Sequence, residues 1–286
     1  MTADVPLIGP GAWTASITEG FAAAAHGYDA DGTEFFQRVG AWLVEVAQIP
    51  AAAWVLDAGC GKGAVAVPAA QAVGPNGHVT GIDLAVPMLE YARERARAAA
   101  LDNVTFREGD ASHPGWPPDS FDAVLAANVV QFLPRTAKAL ARWRSMLMPR
   151  GLLGIAWTTA QGSRWAPVLA AVDAHVPDGV PGFAAFMRRP PFASVGAFED
   201  VVTGRGFDHV ATATAEVTMT YADPEQWWQV YQSQGPWAVS WRHIPPDRLT
   251  RAKRDAFTVL ENLRESDGTL TRTLRFACTT GRKAAW

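Results

Sequence analysis

Residues 53–67 read AWVLDAGCGKGAVAV: an apolar run, one acid, a knot of glycines, then a second apolar run that continues as a helix. The first run has the length of a buried strand, so the glycines join a strand to a helix. A loop of this kind lets a bound molecule lie close against the main chain.

Downstream the pattern alternates. Helix AVAVPAAQAV (64–73) leads to strand HVTGIDL (78–84), helix PMLEYARERARAAA (87–100), strand NVTFREGD (103–110) and strand FDAVLAANV (121–129). Helix RTAKALARWRSML (135–147), a PRG turn and strand LLGIAWT (152–158) follow. Strands separated by helices of this length predict a parallel sheet built from right-handed crossovers. Upstream, Phe35, Val39, Leu43 and Val46 recur at helical spacing. Beyond about residue 160 a Pro- and Gly-rich segment (176–192) precedes helix 195–207, the alternating strand 209–221, a Trp-rich stretch, helix 245–264 and a last strand 270–283. The expected fold is α/β: a Rossmann-like, mostly parallel seven-stranded sheet with helices on both faces, an antiparallel C-terminal hairpin and a helical lid. With no repeat and no dividing linker, residues 1–286 are expected to form one domain. It comprises an N-terminal helical cap (1–50), a cofactor-binding core (51–160), and a lid with the hairpin (161–286).

The 286 residues are 49% hydrophobic and 19% charged, enough for a sizeable core, and the 25 basic and 28 acidic residues form no long single-sign run. That excludes a nucleic-acid footprint and a polybasic membrane patch, leaving a small molecule as the expected partner. Oligomerisation is not indicated. Two cysteines, Cys60 and Cys278, make no disulfide framework, and the start MTADVPLIGPGAW lacks the features of a signal peptide. With no run long enough to span a bilayer, the expected location is the cytoplasm.

Three ligands compete for the loop. A P-loop would need a hydroxyl after its lysine, but Lys62 is followed by Gly63. A dinucleotide fingerprint is satisfied by Gly59, Gly61 and Ala64, with Asp83 ending the next strand to take ribose hydroxyls. That spacing supports an NAD(P)-dependent oxidoreductase, although no Tyr-x-x-x-Lys pair accompanies it. Charge favours S-adenosylmethionine: Asp57 at the mouth of the strand repels a pyrophosphate but suits an ammonium and a sulfonium. Asp110, after the third strand, is placed to accept from an adenine amino group.

The segments VLDAGCGKG, GIDLAVPML, FREGDA, FDAVLAANVVQFL and MPRGLLGIAW, in this order, resemble the motif series of class I S-adenosylmethionine-dependent methyltransferases. The branch is that of small-molecule enzymes similar to the methyltransferases of ubiquinone and menaquinone biosynthesis. The resemblance covers roughly residues 20–160, and five ordered motifs are more specific than one glycine loop. It implies that Asp57, Gly59, Cys60 and Gly61 line the methionine part and that Asp83 takes the ribose hydroxyls. It places Leu84 and Met88 beside the adenine, Gly109, Asp110 and Ala111 at its edge, Asn128 next to the methionine moiety, and Gln131 on the substrate side. Lys62 stands where Thr or Ser is common, Ala85 where Ser is frequent, and Asn128 and Val129 replace a frequent His pair.

The implied activity is methyl transfer to oxygen or carbon of a small, largely apolar or aromatic acceptor, in secondary metabolism. A protein that binds S-adenosylmethionine without transferring methyl is the other alternative. Tyr28, on a turn in the N-terminal segment, and His175 and His243 are the candidate bases for a hydroxyl acceptor. The six histidines have no metal-ligand spacing, and no metal is expected. Trp227/Tyr231 and Trp237/Trp241 are i, i+4 pairs, a spacing that suits core packing, yet so many aromatics in a lid segment also suit a planar acceptor. Cys60 is small enough for its loop and is assigned no chemistry.

Overall fold

A computed structural model describes residues 10–29, 34–161, 163–178, 192–233, 237 and 240–284. Of the Pro- and Gly-rich segment, residues 179–191 lie outside these. The chain forms two compact units. One comprises residues 36–159, 191–215 and 276–286, and the other 1–35, 160–190 and 216–275.

In the larger unit the predicted alternation holds. Helix α2 (Phe35–Ala47) precedes β1 (Trp54–Ala58), α3 (Ala66–Val73), β2 (His78–Asp83), α4 (Val86–Ala98), β3 (Val104–Glu108), β4 (Phe121–Ala127), α5 (Thr136–Met146) and β5 (Leu147–Gln161). Pro87 sits in the first turn of α4, where its missing N–H costs nothing. Strand β5 starts five residues before its predicted beginning. Its register against β4 jumps between Phe121↔Leu147 and Ala123↔Leu152, and Arg150 takes a φ of +65° there, so the expected PRG turn is an irregularity inside a continuous strand.

The seven strands are ordered β3-β2-β1-β4-β5-β7-β6, where β6 is Phe207–Tyr221 and β7 is Leu270–Lys283. The first five are parallel. Three facing side-chain pairs, Thr212/Thr279, Glu216/Arg275 and Thr218/Thr273, advance along β6 as they retreat along β7, which marks the antiparallel hairpin predicted from sequence. Side chains alternate between the faces of the sheet. Val124, Ala126, Leu153, Ile155 and Trp157 share one core layer with Leu140 and Trp143 of α5 and with Phe198 and Val202 of α7 (Val195–Thr203). On the opposite face a Cβ at Gly154 would meet Leu125, Leu43 and Ala47, so α2 covers that side.

The second unit holds α1 (Pro10–Ala24), α6 (Ala166–Asp173), α8 (Pro224–Ser233) and α9 (Pro246–Glu261). Helix α9 is amphipathic: Ala252, Ala256 and Leu260 are buried at i, i+4, i+8, while Arg251 and Arg254 face water.

Candidate active site

Strands β1 and β4 are neighbours, and the chain proceeds from them in opposite directions, through β2 to β3 and through β5. Such a reversal opens a crevice at the carboxyl ends of the strands. The loop after β1, the end of β2, the turn after β3 and the residues after β4 all lie at those ends, so the sheet gathers the predicted cofactor residues.

The loop is tied down by β2. The N–H groups of Gly59 and Cys60 both donate to the Ile82 carbonyl at 2.8 Å, and the Gly61 N–H donates to Asp83 Oδ2 at 2.9 Å. Asp83 Oδ1 accepts from the Ala85 N–H at 2.9 Å. Burial raises the Asp83 pKa, and the N–H groups of Ala85, Gly61 and Leu84 oppose that shift. Each carboxylate oxygen keeps a lone pair for a further donor such as a hydroxyl. Gly59 has φ +82°, and a Cβ there would stand 2.5 Å from Val129 Cγ2. Gly61 has φ +50°, with nothing near its would-be Cβ, so the loop leaves open space above it.

Asp57 was expected at the mouth of the crevice. The structure buries it completely, and neither carboxylate oxygen has a hydrogen-bond partner. Burial pushes its pKa up to about 8; the Ala66 N–H tempers this without reaching hydrogen-bond geometry, and the Asp83 charge adds to it. An orphaned buried carboxyl beneath a glycine loop is an acceptor for a cationic group. Burial also holds the Cys60 thiol well above its ordinary range, so it is no thiolate. Lys62, the departure from the family pattern, carries its ammonium over the Tyr91 ring of α4, 4.2 Å from the centroid.

After β3, the Gly109 N–H donates to the Asp83 carbonyl at 3.1 Å. Asp110 caps its own turn: Oδ1 accepts the Ser112 N–H at 2.7 Å, and Oδ2 lies 3.2 Å from His113 Nδ1. Two residues of α5 hold this turn from below, and the sequence reading missed them. The Trp143 indole N–H donates to the Ala111 carbonyl at 2.8 Å, and Arg142 donates to the Ser112 carbonyl at 3.0 Å. A tryptophan at a buried helix position needs a partner for its N–H, and that was the available signal. Met88 is buried and Leu84 partly so. Asn128 follows β4 in the left-handed region at φ +56°, and its Oδ1 accepts from Thr158 Oγ1 at 3.5 Å. Gln131 is 9% exposed, and its Oε1 has no partner.

The predicted acceptor-side residues belong to the second unit, apart from Gln131. Trp227, Tyr231, Trp237 and Trp241 are all buried, as core packing requires. Their rings touch: Trp227–Tyr231 centroids are 4.8 Å apart, Tyr231–Trp241 5.8 Å and Trp237–Trp241 6.2 Å. The buried Arg272 guanidinium lies over Tyr231 at 5.3 Å and Trp165 at 5.8 Å, and desolvation lowers its pKa to about 10. The Trp227 and Trp241 indole nitrogens, the Tyr231 hydroxyl and the neighbouring Ser240 Oγ are buried without partners. Each such group costs about 1–3 kcal/mol in a closed core.

The three candidate bases engage different neighbours. His175 Nε2 is 2.9 Å from Asp255 Oδ2, and that contact, with Arg254, holds the Asp255 pKa below its ordinary value. His243 is exposed, with Nε2 3.3 Å from Arg242 Nε. The Tyr28 ring packs edge-on to Phe21 at 5.9 Å.

A mostly parallel sheet with an antiparallel hairpin, a glycine loop at its switch point and acids near the carboxyl ends of β1, β2 and β3 define the nucleoside-binding α/β class to which small-molecule methyltransferases belong. A methyltransferase-domain model matches residues 55–151. Nocamycin O-methyltransferase of Saccharothrix syringae is 33% identical over 265 residues, covering 89% of this chain and 94% of that protein. Aklanonic acid methyltransferase DauC of Streptomyces sp. (strain C5) is 42% identical over 131 residues, 46% of this chain and 60% of that one. Among solved structures, the YcgJ protein of Bacillus subtilis superposes with a TM-score of 0.57 at 17% identity, covering 86% of this chain and 98% of that one. Phosphoethanolamine N-methyltransferase 2 of Haemonchus contortus, in complex with S-adenosyl-L-methionine, does so with a TM-score of 0.56 at 18% identity, over 92% and 57% of the two chains. The chain belongs to the S-adenosylmethionine-dependent methyltransferase family. It is an enzyme of small-molecule methylation whose cofactor is S-adenosylmethionine, which removes the oxidoreductase alternative. The residues fit that cofactor: Asp57 offers unpartnered acceptors to a cation, and Gly61 leaves its space open. No helix among the described residues is long and apolar enough to cross a membrane.

Proposed function

We propose that the chain methylates an oxygen or carbon atom of a small, largely apolar or aromatic natural-product intermediate. In this reading Asp57, Gly59, Cys60 and Gly61 hold the methionine part, Asp83 the ribose, Leu84, Met88, Gly109, Asp110 and Ala111 the adenine, and Asn128 the edge facing the acceptor, with Gln131 beyond it. The observation that carries it is the pairing of an orphaned buried acid, Asp57, with a loop tethered to Asp83 and open above Gly61. The named substrates of the two relatives, nocamycin and aklanonic acid, support secondary metabolism as the setting.

When bound, S-adenosylmethionine supplies an electrophilic methyl group on a sulfonium. The protein's task is then to align the nucleophile and keep water out. Of the candidate bases His175 is the one we favour, because Asp255 holds one of its ring nitrogens at 2.9 Å and so orients the imidazole. We read residues 1–286 as one methyltransferase domain, since the seven strands form a single sheet although β5, β6 and β7 have residues in both units. The balanced charge supports a cytoplasmic enzyme of small molecules with no nucleic-acid partner.

Calorimetric titration with S-adenosylhomocysteine tests the cofactor assignment: micromolar binding, weakened in Asp83→Ala, is expected. Undiminished binding in that variant would overturn it. For the base, His175→Phe should lower turnover of a hydroxyl acceptor more than tenfold while cofactor affinity is kept, and unchanged turnover would remove His175 from that role.

A further inference from the structure

The aromatic cluster of the second unit is more than filling. Buried indole N–H and phenol groups ordinarily find partners. Outer members of this cluster do: the Trp165 N–H donates to the Thr271 carbonyl at 3.2 Å, and the Tyr221 hydroxyl to Met219 Sδ at 3.4 Å. The inner members do not. The Trp227 and Trp241 indole nitrogens, the Tyr231 hydroxyl and Ser240 Oγ are all buried without a partner, and the three rings contact one another at 4.8, 5.8 and 6.0 Å. Tyr231 and Trp241 lie within 28° of parallel. Three of these unmet groups thus sit on rings in mutual contact, and Ser240 is the chain neighbour of Trp241.

The chemistry of the unmet groups is one-sided. An indole N–H only donates, and the hydroxyls of Tyr231 and Ser240 can donate as well. Arg272 brings a positive charge against the Tyr231 ring. Aromatic faces can also hold an ammonium ligand, but this cation already lies over two of the rings and would repel a second one. The complement to donors plus a cation is an electron-rich oxygen.

From this we infer that Trp227, Tyr231, Ser240 and Trp241 form a recognition subsite for a planar, conjugated acceptor bearing carbonyl, enolate or phenolate oxygens, and that the enzyme discriminates against amines. The inference rests on the methyltransferase reading and gives its acceptor a chemical class. The polar atoms are closed off from solvent, so the ligand reaches them by parting the rings.

Two soluble probes isolate the oxygens: anthraquinone-2-sulfonate and anthracene-2-sulfonate share outline and charge and differ by two ring carbonyls. Calorimetry on the full chain, saturated with S-adenosylhomocysteine, should show the quinone binding at least tenfold more tightly. Tyr231→Phe should cut that ratio at least threefold without lowering the thermal midpoint of the ligand-free protein, because it deletes an orphaned hydroxyl. A purely structural tyrosine would do the reverse, with a lower midpoint and an unchanged ratio. Equal affinities, as water-filled gaps would give, or no binding of either probe would overturn the subsite. Should Tyr231→Phe not fold, the wild-type ratio and Trp241→Phe still decide. The S-adenosylhomocysteine titration is read separately: its failure counts against the cofactor assignment, and its success with no probe preference counts against the subsite alone.

Discussion

The Gly61 N–H and the Asp83 carboxylate are 2.9 Å apart, and the other oxygen of the same carboxylate takes the Ala85 N–H. One side chain at the end of β2 therefore holds the loop after β1 and the chain entering α4. Replacing Asp83 by Ala frees both N–H groups, an expected loss of about 1–3 kcal/mol in stability. Affinity for S-adenosylhomocysteine should fall roughly 10- to 100-fold if, as proposed, Asp83 also accepts from the ribose hydroxyls. Asp83→Asn, which keeps one oxygen, should fall between. Thermal unfolding and calorimetry on the three proteins check the order, and an Ala variant as stable as wild type would show that the tether is idle.

The two glycines of the loop should separate stability from binding. Gly59→Ala puts a Cβ on Val129 at a left-handed φ, so a loss of about 2–5 kcal/mol is expected. Adding Val129→Ala should recover part of it, leaving the backbone strain. Gly61→Ala meets no atom of the protein and should cost only about 1–2 kcal/mol, for its φ alone. Its methyl would occupy the space left for the ligand, so S-adenosylhomocysteine affinity should drop at least tenfold in a protein that still folds. Full retention of affinity in Gly61→Ala would place the ligand elsewhere.

Local patterning made the sheet and the glycine loop after β1 legible in the sequence. Strand, glycine turn and helix recur with short spacings, and each acid falls at a strand end. What stayed hidden depends on contacts between distant residues. The burial of Trp143 signals a need for a partner, but that partner, the Ala111 carbonyl, lies 32 positions away and has no local signature. The continuity of β5 through Pro149–Gly151 was also missed, because a proline and a glycine read as a stop while tertiary pairing carried the strand across them. For Asp57 the residue type was legible and its burial was not: strand-end position suggests exposure to the crevice, and packing beneath the loop decides otherwise.

Burial of Asp57 makes stability depend on pH in a direction opposite to that of a salt-bridged carboxylate. Its folded-state pKa, about 8, exceeds the unfolded value near 3.8, so the folded state retains the proton longer. Stability then declines as pH rises between these values, by up to about 1.4 kcal/mol per pH unit from this group, and levels off above 8. Asp57→Asn removes the titration. The difference in unfolding free energy between variant and wild type should grow in favour of Asn from pH 5 to 8, and parallel curves would refute the burial of an ionisable carboxyl. Cofactor affinity should show the opposite preference above pH 8, where only the native acid offers a charge to the ammonium.

Trp143 offers a test of whether the support beneath the Asp110 turn contributes to binding. Trp143→Phe removes the donor to Ala111, leaving a buried carbonyl unpaired at about 1–3 kcal/mol, and the smaller ring adds a packing loss. Stability alone cannot assign the role, because any core change in this layer lowers it. Met146→Leu, in the same layer and without a side-chain hydrogen bond among those described, supplies the comparison. If the indole N–H positions Ala111 and the Asp110 turn, Trp143→Phe should weaken S-adenosylhomocysteine binding about two- to fivefold while Met146→Leu leaves it unchanged. Equal binding in both variants would confine Trp143 to the core, with the Asp110 turn held by its own bonds to Ser112 and His113.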